Sequence, residues 1–327
     1  MTRDEVLKAL LENADGYING VELAKKLSLS RTAVWKAIGQ LQKEGYEIES
    51  RHNKGYCLRS TGDVLSAGGI ARHLRHKELR VHVYKSIDST NTALKALAAK
   101  GAEAGLALVA EQQTAGRGRM GRSFYSPAES GLYLSLLLRP TIPAAQAVRL
   151  TACAAVAVAE TIEELSGRET AIKWVNDVFM DGHKVCGILT EASVDCESGL
   201  LHYAVVGIGV NLRRPAGGFP EEIRGVAGAA LDGIKVPELR CRLAAGILDR
   251  LTDYAENSAD PSIFDGYRRR SLVLGREINI LAPGRDPEPA LAVDLGEDYS
   301  LRVRLPDGTE RSLSSGEVSV RFGENEK

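Results

Sequence analysis

Apolar positions along the first part of the chain repeat at helical spacing. Val6, Leu7, Leu10 and Leu11 form one stripe that Gly16 closes, and Val21, Leu23, Ala24 and Leu27 mark a second, shorter helix. Ser30 stands as N-cap to a third helix, predicted over 31–44, in which Val34, Ala37, Ile38 and Leu41 make a single apolar stripe before Gly45 ends it. Two short alternating runs, 46–50 and 55–59, then flank the turn Arg51-His52-Asn53-Lys54 and predict a two-stranded wing.

Residues 60–69 are rich in Gly, Ser and Thr and are expected to be a linker. Beyond them, strand-like runs fall at 80–84, 106–111, 132–139, 171–174, 185–192 and 203–211, and helical runs at 90–99, 146–165 and 237–256. The strands cluster without strict strand–helix alternation, which predicts an α+β sheet packed against helices. The last stretch shows only short strands, at 277–281, 301–305 and 318–322, with turn signals such as Pro306-Asp307-Gly308, and predicts a small β-barrel. Expected domains are 1–62, 63–270 and 271–327.

A chain of 327 residues, 44% hydrophobic, 26% charged and with net charge -1 is an ordinary globular protein of two or three domains, not a polyelectrolyte. Residues 25–59 depart from that balance, with eight Lys/Arg against three Glu. A solvated surface accounts for charge alone just as well, but helix order, wing and charge together match the geometry that lays a helix in the major groove. The outer face of the third helix offers Arg31, Thr32, Trp35, Lys36 and Gln40 to DNA, and the wing offers Arg51, His52 and Lys54. Trp35 has a second reading, packing against the wing. The five cysteines (Cys57, Cys153, Cys186, Cys196, Cys241) form no CxxC and are odd in number, so a disulfide framework is not expected. The acidic, amphipathic N-terminus lacks a signal-peptide core, and the apolar run 150–162 is too short to span a bilayer, so a cytoplasmic location without membrane contact is expected.

Chemistry concentrates in Gly116-Arg117-Gly118-Arg119-Met120-Gly121-Arg122. The stretch contains GxGxxG, yet Ser-Phe-Tyr-Ser-Pro follows where a dinucleotide-binding helix should start, and it is not a P-loop. What remains is a glycine loop able to approach a ligand closely, with three arginines suited to phosphate or carboxylate. Its composition makes it costly to order without a ligand. Lys184 precedes an apolar strand, where a partly desolvated ammonium suits phosphate oxygens, and Asp177 across the same hairpin suits Mg²⁺ bridging ATP phosphates. Gly207 and Gly209 interrupt a buried strand, marking either close approach of another group or a bulge.

In order along the chain, Asp88-Ser89-Thr90-Asn91, Glu111 through Arg122, Ser126-Pro127, Lys173-Trp174-x-Asn176-Asp177, Lys184-Val185-x-Gly187-Ile188-Leu189, Gly207-Ile208-Gly209-x-Asn211-Leu212 and Arg270-Ser271-x-x-Leu274-Gly275 resemble the biotin–protein ligases, in the bifunctional ligase/repressor type with an N-terminal winged helix. Nearly the whole chain is covered. The resemblance implies a winged helix-turn-helix, a class II synthetase-like mixed sheet and an SH3-like C-terminal barrel. It implies activation of biotin by ATP with Mg²⁺, transfer to a lysine of the biotin carboxyl carrier protein, and repression at operator DNA by a ligand-promoted homodimer with biotinyl-AMP as corepressor. By position, Ser89, Thr90, Asn91 and Gln113 would line the biotin site, and Arg117, Gly118 and Arg119 would order over biotin and adenylate. Lys184 would meet carboxylate and phosphate, Asp177 the metal and adenylate, and Arg122 and Asn211 the nucleotide. Val175, Phe124 and Cys186 depart from the usual proline, tryptophan and small apolar residue. The first two imply altered packing on the adenine side. Two rivals remain: a regulator that has lost ligation, and a lipoyl or octanoyl transferase, although the RRxSGGG stretch of lipoate ligases is missing.

Overall fold

The computed structural model describes residues 2–13, 16–43, 45–60, 62–281, 286–314 and 316–320. It divides into two compact units, one of Met1–His73 with Lys235–Ala245, the other of Leu74–Ile234 with Gly246–Lys327.

In the first unit, helices α1 (Thr2–Glu12), α2 (Gly20–Lys26) and α3 (Arg31–Lys43) bury the predicted stripes in one core, and strands β1 (Glu47–Arg51) and β2 (Gly55–Ser60) form the wing. Local chemistry sets the helix starts: the Asn19 side chain accepts from Val21 N at 2.9 Å, and Ser30 Oγ accepts from Ala33 N at 3.1 Å. The predicted end of α3 at Glu44 lies outside the described residues. Gly55 has φ +100 and so tight a seat that a Cβ would lie 2.0 Å from Ile18 O, so the wing turn requires glycine. The expected linker is in part helical: α4 spans Ala67–His73, with Ser66 Oγ accepting from Gly69 N at 3.1 Å. Its glycines mislead because Gly69 is there for close packing, not flexibility. A Cβ at that position would sit 2.6 Å from Cys241 Sγ.

In the second unit, β3 (Arg80–Tyr84), α5 (Thr90–Ala99), β4 (Leu106–Ala110), β5 (Gly131–Leu138), α6 (Ala147–Ser166), β6 (Ala171–Lys173), β7 (Asp177–Met180), β8 (His183–Val194) and β9 (Leu201–Asn211) build a seven-stranded sheet of order β3-β4-β5-β9-β8-β7-β6. Only β3 and β4, joined through α5, run parallel, so the sheet is mixed. The fully buried strand β4 needs no alternation, since both of its faces are covered. At 20 residues α6 is longer than the apolar run implied, and its length and composition would suit a bilayer. Here it is a core helix, buried from Leu150 to Ala159, with Thr151 bonded to Thr190 of β8 at 2.8 Å.

Short helix α7 (Glu221–Arg224), α8 (Leu239–Glu256) and α9 (Pro261–Arg269) follow. α9 is absent from the sequence reading because Pro261 and Gly266 mask its pattern, yet Asp260 caps it and Pro261 sits in the first turn, where its missing N–H costs nothing. The C-terminal strands β10 (Glu277–Leu281), β11 (Glu288–Leu295), β12 (Leu301–Arg304), β13 (Glu310–Leu313) and β14 (Glu317–Val320) form an antiparallel sheet of order β13-β12-β11-β10-β14. The expected barrel is thus an open sheet among the described residues. Edge strand β13 is mostly exposed and brings no apolar face on which to close. Residues 321 and 322 of the predicted last strand lie outside the described residues.

Candidate active site

One cavity in the second unit gathers segments far apart in sequence. The start of α5 brings Ser89, Thr90 and Asn91, and the glycine loop brings Gln113, Arg117, Gly118, Arg119 and Arg122. The β6–β7–β8 hairpins bring Asp177 and Lys184. Asn211 is not part of it, because β9 carries that residue beyond the cavity wall after Gly209.

The polar floor is a connected chain. Gln113 Oε1 accepts from Thr90 N at 2.9 Å and from Thr90 Oγ1 at 3.1 Å, while Gln113 Nε2 donates to Ser126 Oγ at 3.1 Å. Buried Ser135 lies 2.7 Å from Thr90 Oγ1 and 2.6 Å from Asn91 Oδ1. Ser89 Oγ caps α5 by accepting from Thr92 N at 3.4 Å, a bond that does not use its own proton. Ser135 and Ser126 were not singled out by sequence, since an isolated serine carries no pattern.

The glycines of β9 are explained by what presses on them. A Cβ on Gly207 would meet Asn91 Oδ1 at 2.1 Å, and one on Gly209 would meet the Phe124 ring at 2.5 Å. Phe124 lies across Gly209 and Gly187, edge-on to Tyr133 with ring centroids 6.4 Å apart. Gly209→Ala should therefore cost about 1–3 kcal/mol of stability through overpacking, which urea unfolding would measure. An unchanged midpoint would mean that Phe124 swings away freely.

The loop is held by its own hydrogen bonds, although its composition implied that a ligand was needed. Gly118 N donates to Arg122 O at 2.7 Å and Phe124 N to Gly116 O at 2.9 Å, with Met120 at φ 54 in the turn. Two arginines brace it further. Arg119 donates to Asn176 Oδ1 at 2.9 Å and to the Gly316 carbonyl at 3.0 Å, and Arg117 lies 3.4 Å from Glu191. Val318 of β14 also lines the cavity, a contribution from the end of the chain that no local motif announces.

Lys184 Nζ donates to Asp177 Oδ1 at 2.7 Å, and both side chains are only partly exposed. Asn176 Nδ2 donates to the same oxygen at 3.0 Å and to Ile188 O at 3.0 Å, which fixes the carboxylate. The Trp174–Val175 peptide, where Val175 replaces the usual proline, is cis. Trp174 Nε1 donates to Tyr299 O at 2.9 Å, and the buried Tyr267 hydroxyl donates to Val175 O at 3.1 Å. Arg270 explains the last motif: it clamps Glu163 at 2.6 and 2.9 Å, and its carbonyl accepts from Ile172 N, anchoring the strand that leads to Trp174. Burial pushes the Cys186 thiol up, so it is a core group and not a nucleophile.

Among the described residues, Asp177 is the one carboxylate lining the cavity. Its bonded oxygen already carries an ammonium and an amide, and no group of three metal-ligating side chains occurs among the described residues. This donor set does not fit a resident Mg²⁺.

In the first unit, Arg31, Thr32, Trp35, Arg51 and His52 face an open groove between α3 and the wing. Lys36, Gln40 and Lys54 are exposed outside its lining. Trp35 is 66% exposed, so the wing does not bury it. Arg51 is engaged: Glu49 accepts from Arg51 and Arg59 at 2.6 Å each, and both guanidiniums lie 5.2 Å over the Tyr17 ring. The Tyr17 hydroxyl and the Arg59 and Arg51 guanidiniums hold the Glu49 carboxyl down at about 2.

Residues 83–211 match the Biotin/lipoate A/B protein ligase family, and residues 3–57 match an HTH domain. The bifunctional ligase/repressor BirA of Bacillus subtilis is 38% identical over 227 residues, 69% of each chain. That of Escherichia coli is 29% identical over 328 residues, 97% of each chain. Among solved structures, the biotin protein ligase of Aquifex aeolicus in complex with biotin and ATP superposes with TM-score 0.62 at 28% identity, covering 75% of this chain and 99% of that one.

Proposed function

The chain belongs to the biotin–protein ligases of the bifunctional ligase/repressor type, and we propose that it forms biotinyl-5′-AMP from biotin and ATP, transfers the biotinyl group to a lysine of the biotin carboxyl carrier protein, and represses biotin genes with the adenylate as corepressor. The observation that carries the reading is the convergence of Lys184, the loop arginines and the Thr90–Gln113 floor on one cavity. A positive rim suits the carboxylate and phosphates, and the neutral floor suits a ureido group, which both donates and accepts.

Biotin would lie with its ring on Ser89, Thr90, Asn91 and Gln113 and its carboxylate toward Lys184. ATP arrives with its own Mg²⁺ as part of the substrate. The carboxylate oxygen attacks the α-phosphorus, the P–O bond to the β-phosphate breaks, and pyrophosphate leaves with the bonding electrons. Negative charge grows on the phosphoryl oxygens, where Lys184, Arg119 and Arg122 stabilise it without forming covalent bonds. Lys184 exchanges its partner, from Asp177 to phosphate, and Asn176 retains the freed carboxylate. The acceptor lysine, as free amine, then attacks the mixed anhydride, expels AMP and loses one proton. The loop shields the anhydride from water.

ATP–pyrophosphate exchange on the purified protein, with biotin and lipoate in parallel, tests the reading. Exchange with biotin only is the expected result. Exchange with lipoate only would assign the lipoyl class, and none with either would leave a regulator that has lost ligation.

The same adenylate would favour a dimer that sets two winged helices on two half-sites, in the cytoplasm where ATP and carrier are present. Equal operator affinity with and without biotin plus ATP would refute that coupling. Glu49 occupies Arg51 as a phosphate would. Glu49→Gln should tighten duplex DNA binding and steepen the dependence of log affinity on log salt by about one. Fluorescence anisotropy over a salt series measures it, and an unchanged slope would remove Arg51 from the interface.

A further inference from the structure

Alternate residues of β8 face opposite sides of the sheet. Thr190 points to α6, where it meets Thr151, and Glu191 points to α5, standing behind the cavity. Three groups converge on its carboxylate: Lys95 Nζ at 2.6 Å, Asn91 Nδ2 at 3.1 Å and Arg117 of the glycine loop at 3.4 Å. The Glu191 side chain is 16% exposed. Desolvation pushes its carboxyl up, but Lys95, Asn91 and Arg117 outweigh that and hold it below the usual carboxylate range. Asn91 is locked on its other sides by Leu189 O, which accepts from Nδ2 at 3.1 Å, and by Ser135 at Oδ1.

We propose that Glu191 is the positioning residue for biotin capture: its carboxylate ties the loop arginine Arg117 to the start of α5, holding loop and floor in the geometry that biotin meets. This deepens the ligase reading and rests on it. Glu191 touches no substrate and acts through Arg117 and Asn91. Two opposed effects follow from removing its charge. The local field becomes more positive, which attracts a carboxylate, and the loop loses its tie, which disorders the site. Arg117 is 47% exposed, so water screens the first effect. Ordering is the larger one.

In the full-length protein, Glu191→Gln keeps an acceptor for Asn91 and removes the charge. The KM for biotin in pyrophosphate exchange should rise about tenfold while kcat falls far less. Amides 116–123 of the unliganded protein should exchange with deuterium about tenfold faster. In an Arg117→Ala background the same substitution should leave the biotin KM nearly where Arg117→Ala alone puts it, because the tie is already cut. A biotin KM that falls in Glu191→Gln, additive effects in the double variant, or unchanged loop exchange would each overturn the proposal. Arg117→Ala cuts the same tie from the exposed loop side, so loop exchange in that variant decides the matter even if Glu191→Gln does not fold. If wild-type protein shows no biotin-dependent exchange of pyrophosphate, the ligase reading fails, and deuterium exchange still reports on Glu191.

Discussion

Lys184→Gln is expected to lower biotin-dependent pyrophosphate exchange by a factor of about 10²–10³, the usual loss when one preorganised group facing a developing oxyanion is removed. The effect should fall on kcat more than on KM. Lys184 is held at 2.7 Å from Asp177 in the unliganded site, and its contact with phosphate strengthens only as charge develops. Supplying synthetic biotinyl-5′-AMP bypasses the first step, so transfer to an acceptor lysine should recover most of its rate. The substitution also leaves Asp177 without its cation, but Asn176 remains as donor, and the fold should survive a melting test. Exchange within about threefold of wild type would reduce Lys184 to a structural partner of Asp177.

The second large effect concerns retention. Arg119 bridges Asn176 and the Gly316 carbonyl, so a single side chain holds the loop to the hairpin and to the C-terminal sheet. Arg119→Gly removes both charge-assisted bonds and adds backbone freedom in the loop. At about 1.5–3 kcal/mol for a hydrogen bond to a charged group, biotinyl-AMP should leave at least about tenfold faster. The measurement is the half-life of adenylate co-eluting with protein on gel filtration after a single turnover. A half-life equal to wild type would show that Arg119 closes nothing.

Much of the architecture was legible because the periodic signal matched burial. The extents of α5 and β3 agree with the sequence to the residue, and the stripe Val34, Ala37, Ile38, Leu41 is the buried face of α3. The cavity was legible for a different reason: its chemistry is carried by short runs whose residue types are unusual together, from Gly116 to Arg122 and around Lys184. What escaped depends on contacts through space. Gly69 falls in the Gly/Ser/Thr-rich stretch expected to be a linker, but Cys241 packs against it, and Asn211 shares a motif with Gly209 but lies past the cavity. Strand β7 is four residues long and opens on Asp177, too short for alternation to show. Glu191 lies two positions beyond a recognised run, and only the approach of Lys95, Asn91 and Arg117 distinguishes it from a surface glutamate.

The Gly316 carbonyl that receives Arg119, with Val318 beside it, has a bearing on biosynthesis. A ribosome makes the chain from its N-terminus, so the helical unit with its wing emerges long before residue 316. The reaction chamber gains the wall that Gly316 and Val318 supply only after residue 318 has been made. A nascent chain would thus have its DNA-reading surface formed while it is still unable to retain a reactive anhydride. Ribosome-stalled chains ending before residue 316 should accordingly bind duplex DNA yet hold no adenylate.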